Sequence, residues 1–215
     1  MTILELLLKG GWIMVPILLL SILAGYAIIE RLAVLSRDAK RHQPWLDSIC
    51  TRLLTGDVQG AKMLCEQKGF AMARVMQVGL ESLADGPQHL AAAMETAGQA
   101  EVYKLEKNLS LLGTIAGAAP MLGFLGTVLG MIQAFMAMAQ ATNPISPQLL
   151  SAGIYEAMIT TAAGLVVGII ADLGYKYILT RVQEATYRIE QAARQFIEVV
   201  QRAPQKELLK QVHEA

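Results

Sequence analysis

The chain is poor in the residues from which most active sites are built. Its two cysteines, Cys50 and Cys65, are separated by fourteen residues with no CxxC pair, and its three histidines, His42, His89 and His213, are scattered. That distribution argues against a disulfide framework or a zinc site and predicts buried free thiols. No nucleophile, base and orienting group cluster anywhere, so an enzyme is not expected and no cofactor is implied. Lysine plus arginine equals aspartate plus glutamate at 18 each, so no net positive charge points to nucleic acid.

Charge is missing over one long stretch. From Asn108 through Tyr155 there are 48 residues without an Asp, Glu, Lys or Arg, and the first charge beyond them is Glu156, itself set in apolar sequence. With 54% hydrophobic and 17% charged residues, and a positive mean hydropathy, the composition is that of a membrane protein. A helix needs ~20 apolar residues to span a bilayer. Trp12 to Ile29, about Leu111 to Ala139, and about Leu149 to Ile170 supply three such runs. The first has too long an apolar stretch, too little preceding charge and no small-residue cleavage site for a secretory signal, and is read as a retained helix.

Orientation follows from the cations. Ten lysines and arginines lie between Arg31 and Lys107, seven lie from Lys176 to Lys210, and Lys9 alone sits on the opposite side. The positive-inside rule places both charged regions in the cytoplasm. The chain then divides into an outer segment over 1–11, a span over 12–30, a cytoplasmic helical region over 31–110, a span over 111–140, an outer turn over 141–148, a span over 149–171 and a cytoplasmic helical tail over 172–215. Asn143-Pro144-Ile145-Ser146-Pro147 carries two prolines that stop one helix and let the next begin. Arg31 and Arg37 are expected to anchor the first span among lipid headgroups.

The charged regions read as helices that continue the spans. Asp85-Gly86-Pro87 is a start signal, and one helix is expected from Pro87 to about Gln140. Breaks are expected near Thr55-Gly56-Asp57, with Asp57 as a cap, and near Gly69. The last helix is expected to end near Ala203, before Pro204. Its charged half sets Ile178, Val182, Ala185, Ile189, Ala192, Phe196 and Val199 on one stripe. Asp172 and Lys176, at i and i+4 with the acid first, are expected to pair as an interfacial ion pair, with a proton exit site as the alternative.

The second span is rich in small residues, including Gly113, Gly117, Gly123, Gly126 and Gly130, and the third adds Gly164 and Gly168. Small residues let helix backbones approach closely in lipid, so these seven glycines are helix-packing candidates and several subunits are implied. Thr127 and Gln133 in span two, and Glu156, Thr160 and Thr161 in span three, are polar groups well inside the hairpin. A carboxyl at the bilayer centre costs about 3 kcal/mol even on insertion scales, which makes Glu156 a candidate for an ion pathway, with a helix contact as the alternative. At about 100° per residue, Thr160 lies ~40° from Glu156 and Thr161 ~140° away, so Glu156 and Thr161 face different surroundings.

The segments GFLGTVLGMIQAF at 123–135 and GIYEAMITTAAGLVVGI at 153–169 resemble the MotA/TolQ/ExbB proton-channel family, in the same order and topology. The similarity extends through the three spans, the GDVQGAKMLCEQ stretch at 56–67 and the charged tail. It implies an all-α protein of the bacterial inner membrane with a periplasmic amino terminus, its second and third spans long and extending into the cytoplasm, assembled as a pentamer around a central pore. The pore would hold single-span partners of ExbD or TolR type, whose membrane aspartate carries the proton, and work would leave through a TonB- or TolA-like protein. On this likeness Thr127 and Thr161 correspond to the pore threonines, with Glu156 and Thr160 beside them on the proton pathway. A passive membrane scaffold and a flagellar-type stator subunit are the alternatives.

Overall fold

A computed structural model describes residues 10–38, 43–140 and 147–203. Among these there are seven α-helices and one short 3-10 turn. In chain order they are α1 (Met14–Asp38), α2 (Gln43–Leu54), α3 (Val58–Glu66), α4 (Ala71–Glu81), the 3-10 turn (Ser82–Asp85), α5 (Pro87–Glu106), α6 (Leu109–Gln140) and α7 (Pro147–Arg202). No strand occurs among the described residues, and α1, α6 and α7 contain the three segments long and apolar enough to cross a membrane. The turn residues 143–146, Lys9, His42 and His213 lie outside the described residues, as does the Arg37 side chain.

The chain forms two compact units, Met1–Arg31 with Asn108–Ile178, and Leu32–Lys107 with Leu179–Ala215. In the first, α6 and α7 run antiparallel through paired stripes of small residues. Ala119, Gly123, Gly126, Gly130 and Ala134 are buried on α6, and Ala157, Thr160, Gly164, Gly168 and Ala171 on α7. Every spacing is three or four residues, which keeps each stripe on one face of its helix. A Cβ on Gly164 would lie 2.9 Å from Gly123 Cα and 2.5 Å from the Ala119 carbonyl oxygen, so only hydrogen fits there. Pro120 sits inside α6, and its ring occupies the space above Gly168, where an added Cβ would be 2.5 Å from Pro120 Cγ. A proline is tolerated in a membrane helix when neighbours re-satisfy the freed backbone.

Helix α1 packs parallel to α7. Gly11 lies beside Glu156 near one end, and Ile28 Cδ1 fills the space over Gly174 near the other. The chain enters α1 through Gly11, which is left-handed at φ +66, and the Met14 N–H donates to the Gly11 carbonyl at 3.2 Å.

The helix expected from Pro87 to Gln140 is two helices. Lys107 leaves the helical region at φ −49, ψ 139, and Asn108 is left-handed at φ 62, a conformation asparagine tolerates better than most side chains. The Asn108 amide donates to Glu30 Oε2 at 2.7 Å, fixing the start of α6 to the end of the α1 span. Arg31 also departs from expectation. It is 3% exposed and pairs with Glu30 Oε1 at 2.7 Å, as a buried charge needs a partner to offset its lost solvation.

The second unit has a core of large side chains: Leu46, Ile49, Leu53, Met76, Leu90 and Phe196 are fully buried. The α7 stripe runs through Ile178, Val182, Ala185, Ile189, Ala192 and Phe196 and ends on Val200 rather than Val199, one residue further round the helix. Trp45 meets Phe70 edge-on with ring centroids 4.8 Å apart, and its indole N–H donates to the Leu64 carbonyl at 3.2 Å. Asp57 caps α3 by accepting from the Gly60 N–H at 2.8 Å, and Arg52 donates to its other oxygen. These bonds hold the Asp57 carboxyl below the usual carboxylate range. Cys50 and Cys65 are buried and free, and burial pushes the Cys65 thiol up to about 12.

Candidate functional site

The hairpin of α6 and α7 brings its polar side chains to successive turns around one crossing. Thr161 is half-buried, and its hydroxyl donates across the hairpin to the Gly123 carbonyl at 2.9 Å. That carbonyl is reachable because Gly123 has no side chain and the helices touch there: a Cβ on it would lie 3.1 Å from Thr161 Cα. Thr127 follows Gly123 by one turn of α6, and its hydroxyl donates to the Phe124 carbonyl of its own helix at 2.6 Å. Each hydroxyl proton is thus committed to a carbonyl, while the oxygen lone pairs remain able to accept.

Thr160 is different. It is 2% exposed, donates to the Ala157 carbonyl at 2.8 Å, and fills the space a Cβ would need on Gly126. Glu156, one turn earlier, is half-buried with its carboxyl against Gly11. Glu156 and Thr161 therefore meet different segments, the turn leading into α1 in one case and α6 in the other. Gln133 is exposed on α6.

The seven glycines fall into three groups. Gly123, Gly126, Gly130, Gly164 and Gly168 lie where α6 and α7 touch; Gly113 faces the Tyr175 ring, which a Cβ would approach to 3.6 Å; and Gly117 faces open space. Two contacts of this unit were not read from the sequence. The Gly10-Gly11 pair just before span one was the available signal for the Glu156 contact, and Asn108 at the start of the uncharged stretch was the signal for the helix break.

Elsewhere, a cleft of about 680 Å³ in the second unit lies between α5 and α7, floored by Met94 and Ile189 and rimmed by Glu95, Glu106, Glu190 and Arg194. Among the described residues there is no cluster of three or more metal-ligating side chains. Beyond the apolar run of α7, Lys176 donates to Asp172 at 2.7 Å, one turn apart on the helix.

Residues 67–191 match the model of the MotA/TolQ/ExbB proton channel family. Two ExbB-like biopolymer transport proteins of Synechocystis sp. are similar along most of the chain. One is 33% identical over 80% of this chain and 69% of its own length, the other 31% identical over 87% and 93%. The Tol-Pal system protein TolQ of Haemophilus influenzae is 39% identical over 42% of this chain and 39% of its own. With three membrane-length apolar helices, this is a multi-pass membrane protein. A match covering more than half the chain, and relatives aligned along most of their length, make it a member of the MotA/TolQ/ExbB proton channel family.

Proposed function

We propose that this chain is the ExbB/TolQ-type subunit of a proton-driven motor in a bacterial inner membrane. In this reading its amino terminus is periplasmic, the segments 31–110 and 172–215 are cytoplasmic, and five copies surround a pore. The pore holds single-span partners of ExbD or TolR type, and their motion is passed to a TonB- or TolA-like protein for outer-membrane transport or envelope maintenance. The orientation rests on the ten and seven cations of those two segments against Lys9 alone. The names of the relatives support the system, and the hairpin chemistry supports the pathway.

The observation that carries the pathway is the Thr161 hydroxyl donating to the Gly123 carbonyl with Thr127 one turn further along. Hydroxyls whose protons are taken by carbonyls present lone pairs outward, so they accept from a protonated carboxylic acid and offer nothing to a carboxylate. A partner aspartate is therefore held while neutral and released on losing its proton. Charge moved through the membrane field supplies ~2.3 kcal/mol per 100 mV, of the same order as the net worth of one or two hydrogen bonds. Thr160, behind this surface, holds the hairpin closed, and Glu156 stands beside it on α7.

Replacing Thr127 or Thr161 by valine keeps shape and removes the lone pairs. Both variants are expected to assemble normally and lose proton-motive-force-dependent activity, and Thr161→Ser is expected to recover it. Normal activity in both valine variants would sink the pathway. The glycine stripes also suit a passive scaffold, which predicts instead that activity follows assembly in every variant.

A further inference from the structure

We infer that Glu156 is a positioning residue, whose side chain fills the notch left by Gly11, seats the N-terminal turn of α1 on α7, and so holds α7 where Thr161 reaches Gly123. Gly11 is the residue that shows it. A Cβ there would fall onto Glu156 Oε1 and lie 3.0 Å from its Cδ and 3.7 Å from its Cγ. The whole outer half of the glutamate side chain thus occupies the volume that any other residue at position 11 would need. The backbone at Gly11, at φ +66, independently favours glycine.

The seat continues along α7. A Cβ on Gly10 would lie 3.5 Å from both Ile159 Cγ2 and Thr160 Cγ2, so the turn follows α7 from Glu156 to Thr160. Thr160 in turn fills the space over Gly126 of α6. The turn leading into α1, and helices α6 and α7, therefore meet around Thr160, and the next residue carries the hydroxyl bonded to Gly123. A carboxyl wedged against α1 is placed to set the rotation of α7, on the opposite side from the Thr161 bond, rather than to hand on protons.

This role rests on the proposed proton pathway only where activity is measured; the seat itself is tested by a separate signal. Trp12 follows Gly11 directly and is largely exposed, so in the Trp45→Phe background its quenching by an aqueous quencher reports the turn. Quenching is read on the purified full chain in lipid vesicles, and activity in native membranes with its partners. Gly11→Ala should raise Trp12 quenching and lower proton-motive-force-dependent activity. Adding Glu156→Ala should return both toward the parent, because the new methyl enters the space the carboxyl vacates, leaving only the backbone strain. If Gly11→Ala does not accumulate, recovery of its amount in the double variant reads the same contact. Equal effects of Gly11→Ala with and without Glu156 would overturn the seat. A double variant with parental Trp12 quenching and no activity would overturn the positioning role and make Glu156 a proton carrier.

Discussion

Helices α6 and α7 meet through Ala119, Gly123, Gly126, Gly130, Ala157 and Gly164, whereas the second unit is filled by Phe196, Leu46, Leu53, Met76 and Leu90. The same chain uses residues near the smallest available in one unit and near the largest in the other. Water explains the second choice, since burying each large side chain removes apolar surface worth about 1.5–3 kcal/mol. Lipid explains the first. An apolar solvent gives no reward for hiding apolar surface, so contact must come from close backbone approach and from hydrogen bonds such as Thr161 to Gly123. Large apolar residues are accordingly left outward on the spans, with Phe124, Met121 and Met158 each well exposed.

The contrast is broken most severely by Phe196→Ala. It deletes a fully buried ring from the second unit and is expected to destabilise that unit by about 3–5 kcal/mol, read as loss of the folded baseline in thermal circular dichroism in detergent. Gly164→Val attacks the opposite rule. Its side chain meets backbone on α6, which has no rotamer to yield, and a loss of about 3 kcal/mol is expected as a lower melting point and reduced monodispersity on size exclusion. Should this variant melt like the parent, close backbone contact is not what holds the hairpin.

A third test concerns polar burial. Glu101 is buried in the second unit between Arg74, which donates to Oε2, and Lys104, which donates to Oε1 at 2.7 Å. Burial alone raises its pKa, but the hydrogen bonds and attraction of the two cations outweigh it and hold the carboxyl below the ordinary range. A depressed folded value contributes stability that is present above the unfolded value of about 4.3 and lost as pH falls through the folded value. Glu101→Gln is expected to lose about 2 kcal/mol at neutral pH and to flatten the acid limb of the stability profile measured between neutral pH and pH about 3. An unchanged acid limb would remove Glu101 from the account. The smallest effect sharpens the comparison: a Cβ on Gly98 of α5 meets only Ile189 Cγ2 at an ordinary 3.9 Å. Gly98→Ala should therefore raise stability by about 0.5–1 kcal/mol, the opposite sign to Gly164→Val.

Periodicity and composition made the three spans, the Asp57 cap, the Asp172–Lys176 pair and most of the α7 stripe legible before any coordinates. These depend on residues within a turn or two of one another. The features that were not legible depend on distant partners. Asn108 breaks the helix at Lys107 with Glu30 from another span bonded to it, and nothing within one helix turn announces that acid. Arg31 has the look of a headgroup anchor, and Glu30 beside it turns it into a buried pair. At the candidate site, residue types and helix angles separated Glu156 from Thr161, but the commitment of both threonine protons to carbonyls depends on how closely glycine lets two backbones approach.

Pro120 and Gly168 give the hairpin a property that the glycine stripes alone do not. Stripes repeating every three or four residues would mate again after sliding by one turn, since most positions offer hydrogen or methyl to one another. The proline ring needs a slot without a side chain, and the next buried position on α7 toward Ile178 is Ala171, whose methyl stands in the way. The ring works as a key in a keyway: slippage toward Ile178 is blocked, so in that direction the register of the hairpin is held by the fit of one ring into one missing side chain.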